Sequence, residues 1–338
     1  MMLLGIQSQR LDRDVLAFAI RARVASFRAI NDAHNPELLR EMRAALPDCK
    51  FGLRLVRDVD LSDPDQAAFD FLDALRPKLL EFPYDFVSGA NETGYHAGNA
   101  DAYSQFQVTL SNQLRFGSSD QIGRVLYGGY DFGVTWPDVA LIDKYRPGLR
   151  ACDMLFLHAY KLPHNSDENT IYHHRHVRAA LSPELRHMPI WYSEFGLDAN
   201  GNAGDGWSGP TWGWTPERYA DWLKARAKEL TDVEMGIIFL CGRTDPIWAS
   251  WDILGHDVIA DAIREVNEEG TTVAYQYLGF KGYAENHPEV GLPAGVEQYD
   301  GDGNLHQLTE NGQLVGLKAF GWKVLFFAPA PPKGLPII

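Results

Sequence analysis

The segment YDFVSGANE, residues 84–92, has the composition of a short buried strand that ends at a glycine. Aromatic and β-branched residues favour strands, and Gly89 ends this one. The next polar residues are Asn91 and Glu92. In a parallel α/β barrel the carboxyl ends of the strands are where reactive side chains collect. An Asn-Glu pair alone is a weak signal, because a loop carboxylate often only caps a helix or pairs with a cation.

A second segment, MPIWYSEFG at residues 188–196, is another short apolar strand that ends in a carboxylate and a glycine. Glu194 follows Glu92 by 102 residues (194 − 92 = 102), or about 34 residues for each of three strand-helix units. A barrel of eight such units has about 250 residues, or about 31 per unit. Two carboxylates on separate strands are what a retaining glycosidase needs, one as proton donor and one as nucleophile.

The first 268 residues alternate between short apolar runs and amphipathic stretches. Asn35-Pro36 and Pro64 mark helix starts, since proline suits the first helical position. Eight strands alternating with eight helices predict an α/β fold, a parallel (β/α)8 TIM barrel rather than an open sheet. The predicted strands are 3–7, 24–30, 51–56, 84–88, 123–130, 154–157, 189–193 and 235–240. The predicted helices include 14–23, 36–46, 101–114, 137–144, 171–181 and 258–267, with two others starting at 64 and 216.

Residues 269–338 differ in composition and predict a small β-rich appendage of hairpins. Turn signals at 300–304 and at Asn311-Gly312 lie beside short alternating runs at 305–308 and 313–317, and a proline-rich tail follows. The domains expected are therefore a catalytic barrel at 1–268 and an extension at 269–338. The extension has too few apolar residues for a large core. We expect its aromatic residues to pack partly against the barrel: Tyr275, Tyr277, Phe280, Tyr283, Phe320 and Trp322.

Composition and charge limit the partners. The formal net charge of −14 leaves no excess of Lys and Arg to neutralise phosphates, which argues against a nucleic-acid partner and favours a neutral glycan. No apolar run approaches membrane-spanning length, and the start does not resemble a signal peptide, so a cytoplasmic protein or one released by another route is expected. The oligomeric state stays open.

No cofactor or metal is expected. The three cysteines stand singly and predict buried free thiols. The histidine-rich run 173–176 is typical of a solvated helix face rather than a metal site, because adjacent helical positions point apart. The acidic turn at 300–304 lacks the glycine and glutamate that a calcium loop requires.

A loop rich in Trp, Gly, Ser and Pro follows the seventh predicted strand. Trp207, Trp212 and Trp214 lie within it, and their flat rings suit stacking on the faces of sugars. The sequence therefore predicts an exposed aromatic platform beside the site.

On these residues the chain resembles clan A of the glycoside hydrolases, the retaining "4/7" superfamily of (β/α)8 barrels. The resemblance covers residues 1–268. It rests on Asn91-Glu92 after strand four, His158-Ala159-Tyr160 after strand six and Glu194 after strand seven. It implies that Glu92 is the general acid/base and that Glu194 is the nucleophile.

The resemblance also implies roles for the residues around this pair. Asn91 would bind the 2-hydroxyl of the sugar, while His158 and Tyr160 would lie at the substrate, with Tyr160 orienting Glu194. An arginine is expected beside the nucleophile, and both Arg28 and Arg54 are candidates. A tryptophan after strand eight would form the floor of a sugar subsite, and the candidates are Trp248 and Trp251.

The leading hypothesis is thus a retaining hydrolase of O-glycosidic bonds, acting on a β-linked oligo- or polysaccharide. A related alternative is a phage-type lysin that degrades cell-wall peptidoglycan. An alternative of another class is a non-catalytic glycan-binding barrel, which the presence of both carboxylates disfavours. The sugar, the linkage and endo or exo action do not follow from the sequence.

Overall fold

The computed structural model of the chain describes residues 1–91, 99–114, 126–132, 142–199 and 204–271, and beyond these 280, 283, 286–290, 298–299, 305–309, 312–317 and 323–327. Glu92 lies outside the described residues. The first eight strands are β1 (Leu3–Ser8), β2 (Ser26–Ile30), β3 (Lys50–Arg54), β4 (Phe86–Ser88), β5 (Leu126–Phe132), β6 (Met154–Lys161), β7 (Ile190–Leu197) and β8 (Met235–Ile238). The helices are α1 (Arg13–Ala22), α2 (Pro36–Ala45), α3 (Pro64–Glu81), α4 (Ala100–Asn112), α5 (Ile142–Ala151), α6 (His173–Ala180), α7 (Pro216–Glu229) and α8 (Asp257–Thr271).

The eight strands close into a parallel barrel in chain order. Closure is made by β1, which pairs with β2 on one side and with β8 on the other. A helix follows each strand along the chain. The predicted (β/α)8 fold is confirmed, and in such a parallel barrel the carboxyl ends of the strands meet at one rim.

Side chains alternate between the barrel interior and the helix layer, as a pleated strand requires. Outward residues join the large core between strands and helices. Inward apolar residues of the later strands form a separate cluster of Phe86, Met154, Phe156, Trp191, Met235 and Ile237. The early strands contribute small residues at this level. A Cβ added to Gly52 of β3 would lie 2.1 Å from the ring of Phe86, so glycine makes room for that ring.

Several helices start with a side-chain cap followed by proline. The caps of α2, α3 and α7 are Asn35, Asp63 and Thr215, and each side chain accepts a hydrogen bond from the backbone N–H three residues on. Proline follows each cap at the first helical position, and Asp245-Pro246 begins a short 3-10 helix in the same way. These starts follow directly from the sequence, because both capping and the fixed proline φ are local effects.

Strands six and seven are longer than predicted. β6 continues to Lys161 and β7 to Leu197, so Glu194 lies inside its strand rather than beyond the end. The apolar runs end earlier because the inward residues near the rim are polar. The predicted helix at 137–144 ends too early, since α5 continues to Ala151, and residues 133–141 lie outside the described ranges.

The chain divides into two compact units, Met1–Gly270 and Thr271–Ile338. In the second unit β9 (Gln298–Tyr299), β10 (Leu305–Thr309), β11 (Gly312–Leu317) and β12 (Lys323–Phe327) form an antiparallel sheet in the order β12-β11-β10-β9. This confirms the predicted β-rich appendage, in which β10 and β11 pair as antiparallel neighbours. Phe280, Val290, Leu305 and Leu314 form its small core. The turn at 300–304, the tail at 328–338, Tyr275, Tyr277, Phe320 and Trp322 lie outside the described residues.

Cys49, Cys152 and Cys241 are free and buried, as predicted. No helix in the described part of the chain is long and apolar enough to cross a membrane. The prediction of a solvated helix face at 173–176 is wrong for His173 and His174, which are fully buried.

The buried histidines of α6 have structural partners. The Nε2 atom of His174 lies 2.9 Å from Asp232 Oδ2, and its Nδ1 contacts the Tyr192 hydroxyl. Burial lowers the pKa of both rings, that of His173 to about 4. Among the described residues no group of His, Cys, Asp and Glu is arranged to hold a metal ion.

Candidate functional site

Glu194 faces the barrel interior because β7 contains one extra residue. Two consecutive residues of β6 pair with Tyr192 and Glu194, so Ser193 has no place in the ladder. The ladder from β7 to β8 shifts register over the same stretch. Trp191 faces inward, and in a regular strand Ser193 would be the next inward residue. This β-bulge turns Glu194 inward instead, as bulges beside functional sites commonly do.

Among the described residues, three side chains from two strands contact the carboxylate of Glu194. Arg54, at the end of β3, donates a hydrogen bond from Nη1 to Oε1. Tyr160 on β6 donates its hydroxyl to Oε2 at 2.7 Å. The Nδ1 atom of His158, two residues earlier on β6, lies 3.4 Å from the same oxygen. Of the two candidate arginines, Arg54 is therefore the one that contacts Glu194. Tyr160 also contacts Glu194, as expected.

The surroundings of Glu194 favour its ionised form. The residue is only 8% exposed, and burial by itself raises the pKa of a carboxyl. His158, Arg54 and Arg28 outweigh burial and hold the pKa of Glu194 at about 2. Burial and the neighbouring Glu194 raise the pKa of Tyr160 well above its usual value, so this hydroxyl stays a neutral donor. The site thus holds a desolvated, charged carboxylate near neutral pH.

A polar layer supports this carboxylate from within the barrel. Arg28 on β2 is fully buried, and it donates from Nη1 to Ser88 Oγ at 3.0 Å. Both Arg28 and Arg54 also donate to the amide oxygen of Gln7 on β1. The guanidinium carbon of Arg28 lies 5.9 Å from the ring centre of Phe156, so the charged layer rests on the inward apolar cluster.

Aromatic rings pack against Tyr160 from the end of β8. Trp251 meets Tyr160 edge-on at 5.3 Å between ring centres, and Phe239 packs against both Trp251 and Trp248. Trp251 is 4% exposed, so its faces are covered by the protein, whereas Trp248 is half-buried. Of the two candidates for a sugar floor, Trp248 is the one with an accessible ring, and its role stays a prediction.

The three tryptophans of the predicted platform differ in their exposure. Trp207 is 2% exposed, stacks on Tyr219 with ring planes 2° apart and donates its indole N–H to the Trp251 carbonyl. The prediction of an exposed platform is therefore wrong at Trp207, because stacking within the protein covers its ring. Trp212 and Trp214 are half-buried and meet edge-on.

Trp212 contacts the chain just beyond the end of β7. Its indole N–H donates to the backbone carbonyl of Asp198, the residue that follows β7, at 3.1 Å. Asn91 lies half-buried beyond the end of β4. The separation of the Glu92 and Glu194 carboxyls rests on a residue outside the described ranges, so the roles of Asn91 and Glu92 stay predictions.

Two residues of the polar layer, Gln7 and Ser88, are not among the residues that the sequence predicts for the site. Gln7 is the last residue but one of β1 and Ser88 is the last residue of β4, and both are buried and face inward. The alternation of inward and outward side chains along a strand identifies both residues. Leu3, Gly5 and Gln7 share one face of β1, so a buried polar residue at the third position lies at the rim where the other polar side chains meet.

No protein-family model and no curated protein matches this chain. Solved structures do match. The GH39 enzyme from Xanthomonas axonopodis pv. citri aligns with a TM-score of 0.50 at 12% identity, over 90% of this chain and 71% of that one.

Saccharomyces cerevisiae Gas2p in complex with laminaripentaose aligns with a TM-score of 0.50 at 14% identity, over 79% of this chain and 67% of that one. ScGas2 in complex with compound 11 aligns with a TM-score of 0.52 at 13% identity, over 83% of this chain and 67% of that one. At these identities the likeness establishes a common fold.

Proposed function

We propose that this chain is a retaining glycoside hydrolase that cleaves β-linked oligo- or polysaccharides by double displacement. The observation that carries the proposal is the state of Glu194. A carboxylate buried at the rim of a parallel barrel, hydrogen-bonded by Arg54 and Tyr160, is ionised and fixed in direction. Those are the requirements for attack on an anomeric carbon.

In the proposed reaction Glu194 attacks the anomeric carbon while a general acid protonates the leaving oxygen. Glu92 is our candidate for that acid, from its place after β4 in the sequence. Water then hydrolyses the glycosyl-enzyme, and Glu92, now ionised, removes a proton from the attacking water. The Tyr160 hydroxyl and Arg54 guanidinium stay with Glu194 as its charge is lost and regained.

The substrate class is proposed from two lines of support. The net charge of −14 disfavours an anionic polymer. Solved structures of the same fold include Gas2p with laminaripentaose and with laminaritriose and laminaritetraose. Laminari-oligosaccharides are therefore the first substrates to test, followed by a panel of aryl β-glycosides.

The test is covalent trapping. A 2-fluoro-2-deoxy glycoside matching the best aryl substrate should add one sugar mass to the intact protein, and peptide mapping should place it on Glu194. When the products are monitored by NMR, the anomer with the configuration of the substrate should appear before mutarotation sets in. Glu194→Gln should abolish labelling, and Glu92→Ala should slow natural substrates more than activated aryl glycosides, since a good leaving group needs less protonation.

Glu234→Gln is the matched control. Glu234 is exposed and lies just before β8, at the opposite end of that strand from the rim. This variant should label and turn over like the wild type. An inverted first product, a label on another residue, or normal turnover by Glu194→Gln would each refute the proposal. Binding of oligosaccharide without any turnover would leave a glycan-binding barrel instead.

A further inference from the structure

Gln7 lies at the meeting point of two buried arginines. It is fully buried near the end of β1, and its backbone is in register with Arg28 of β2. Its amide oxygen accepts from Arg28 Nε at 2.7 Å and also from Arg28 Nη2. The same oxygen accepts from Arg54 Nη1 at 3.1 Å.

The orientation of this amide follows from its partners. All three contacts come from guanidinium N–H groups, which only donate. A flipped amide would direct its NH2 group at these donors, so the oxygen must face the arginines. Gln7 therefore holds two like charges together through one shared acceptor, and the nitrogen of Arg54 that it contacts is the one that also binds Glu194.

We propose that Gln7 is a positioning residue for the reacting carboxylate: its amide oxygen fixes Arg54 against Glu194 and, being neutral, leaves both guanidinium charges uncancelled. A glutamate at this position would make the same hydrogen bonds, but its negative charge would compete with Glu194 for the two arginines. An apolar side chain would leave buried N–H donors unsatisfied. The role in catalysis rests on the proposed function of Glu194, whereas the effect on its charge does not.

In the described part of the chain, the other charged or titratable groups around Glu194 come from β2, β3, β6 and the residue after β7. His158 and Tyr160 approach from β6, Arg54 from β3 and Arg28 from β2. Asp198, beyond the end of β7, acts on Tyr160. Gln7→Glu alters none of these residues, so a change in the titration of Glu194 reports the added charge.

The experiment compares Gln7→Glu and Gln7→Met with the wild type. Protein labelled with ¹³C at the glutamate carboxyls is titrated by NMR, and the Glu194 signal is identified by its absence in Glu194→Gln. In Gln7→Glu the pKa of Glu194 should rise by about one to two units, because the added charge and the Glu194 carboxylate would both contact Arg54 Nη1. The acid limb of the kcat/KM profile on an aryl glycoside should shift upward by the same amount.

Gln7→Met keeps the length of the side chain and removes the acceptor. We expect kcat to fall about 10- to 100-fold with KM little changed, since Arg54 loses its support but the sugar contacts remain. If this variant does not fold, Gln7→Glu still decides the question because it keeps the hydrogen bonds. Gln66→Glu, which adds the same charge at the exposed start of α3, is the matched control and should behave like the wild type.

The outcomes separate the two proposals. An unchanged Glu194 titration in a folded Gln7→Glu protein overturns the role of Gln7, even if the wild type cleaves glycosides. A shifted titration in a protein that cleaves no glycoside supports the control of Glu194 by Gln7 and refutes the proposed hydrolase. A shift of equal size in Gln66→Glu would also overturn the inference, since it would be a general effect of net charge.

Discussion

At the scale of single residues, Glu194 is stabilised by contacts that differ in kind. Arg54 supplies a charge and a hydrogen bond, whereas Tyr160 supplies a hydrogen bond from a hydroxyl that stays neutral. A charged hydrogen bond of this sort is worth about 1.5–3 kcal/mol. Removing either partner alone leaves part of the desolvated carboxylate uncompensated, so the cost exceeds the value of the lost contact.

The first prediction concerns stability against pH. The pKa of Glu194 is about 2 in the folded protein, below its ordinary value of 4.5. A depressed folded pKa gives stabilisation that is present above about pH 4.5 and is lost as the pH falls toward 2. Of a contribution of about 3 kcal/mol at neutral pH, about 2 kcal/mol should disappear between pH 6 and pH 3.

Urea unfolding of the wild type and of Glu194→Gln across that range measures this loss. Other carboxylates titrate in both proteins, so the difference between the two free energies of unfolding isolates residue 194. The difference should shrink as the pH falls. A difference that is constant from pH 6 to pH 3 would contradict the low pKa.

At the scale of strands, a small residue on one strand makes room for a large ring on its neighbour. Gly52 on β3 pairs with Phe86 of the adjacent β4, and Phe86 meets Phe156 and Trp191 edge-on. A Cβ at Gly52 would fall 2.1 Å from the Phe86 ring. The filled interior therefore depends on the absence of a side chain at one position.

The second prediction is that Gly52→Ala lowers the free energy of unfolding by about 1–3 kcal/mol through overpacking. Phe86→Leu should also lower the free energy of unfolding, because it leaves a cavity in the barrel interior. The double variant should lose less than the sum of the two single changes, because the smaller leucine admits the new methyl group. Denaturant unfolding of all four proteins completes the cycle, and strict additivity would show that the two positions do not compete for space.

Elements were predictable where the controlling interactions are local. Asn35-Pro36 and Asp63-Pro64 identify helix starts by chemistry within three residues. The bulge at Ser193 was not predictable in this way, because the alternation of β7 alone would direct Glu194 toward the helices. Its inward direction follows from pairing with both neighbouring strands. The choice of Arg54 over Arg28 likewise depends on barrel geometry that no spacing in the chain encodes.

At the scale of the whole molecule, the barrel is complete within the first unit. β1 and β8 pair with each other, so every one of the eight strands has two neighbours before residue 271. All of the residues that contact Glu194 in the described structure belong to this unit.

The third prediction is that residues 1–271 expressed alone unfold in a single cooperative transition, with the near-UV signature of packed aromatic residues. The sequence further predicts a lower Tm than that of the full chain, because the extension is expected to cover apolar surface. Calorimetry of both proteins measures the difference. A truncated chain without a cooperative transition would contradict the self-sufficiency of the barrel, and an equal Tm would make the extension an independent module.

The prolines that follow the helix caps have a consequence outside the folded molecule. Pro36, Pro64, Pro216 and Pro246 sit where the native φ already suits a pyrrolidine ring. Each restricts the denatured chain and so reduces the conformational entropy that folding must remove, by about 0.4–1 kcal/mol at a compatible site. Together the four amount to about 2–4 kcal/mol on that scale. Part of the stability of this barrel thus comes from the lower conformational entropy of its denatured chain rather than from contacts in the folded protein.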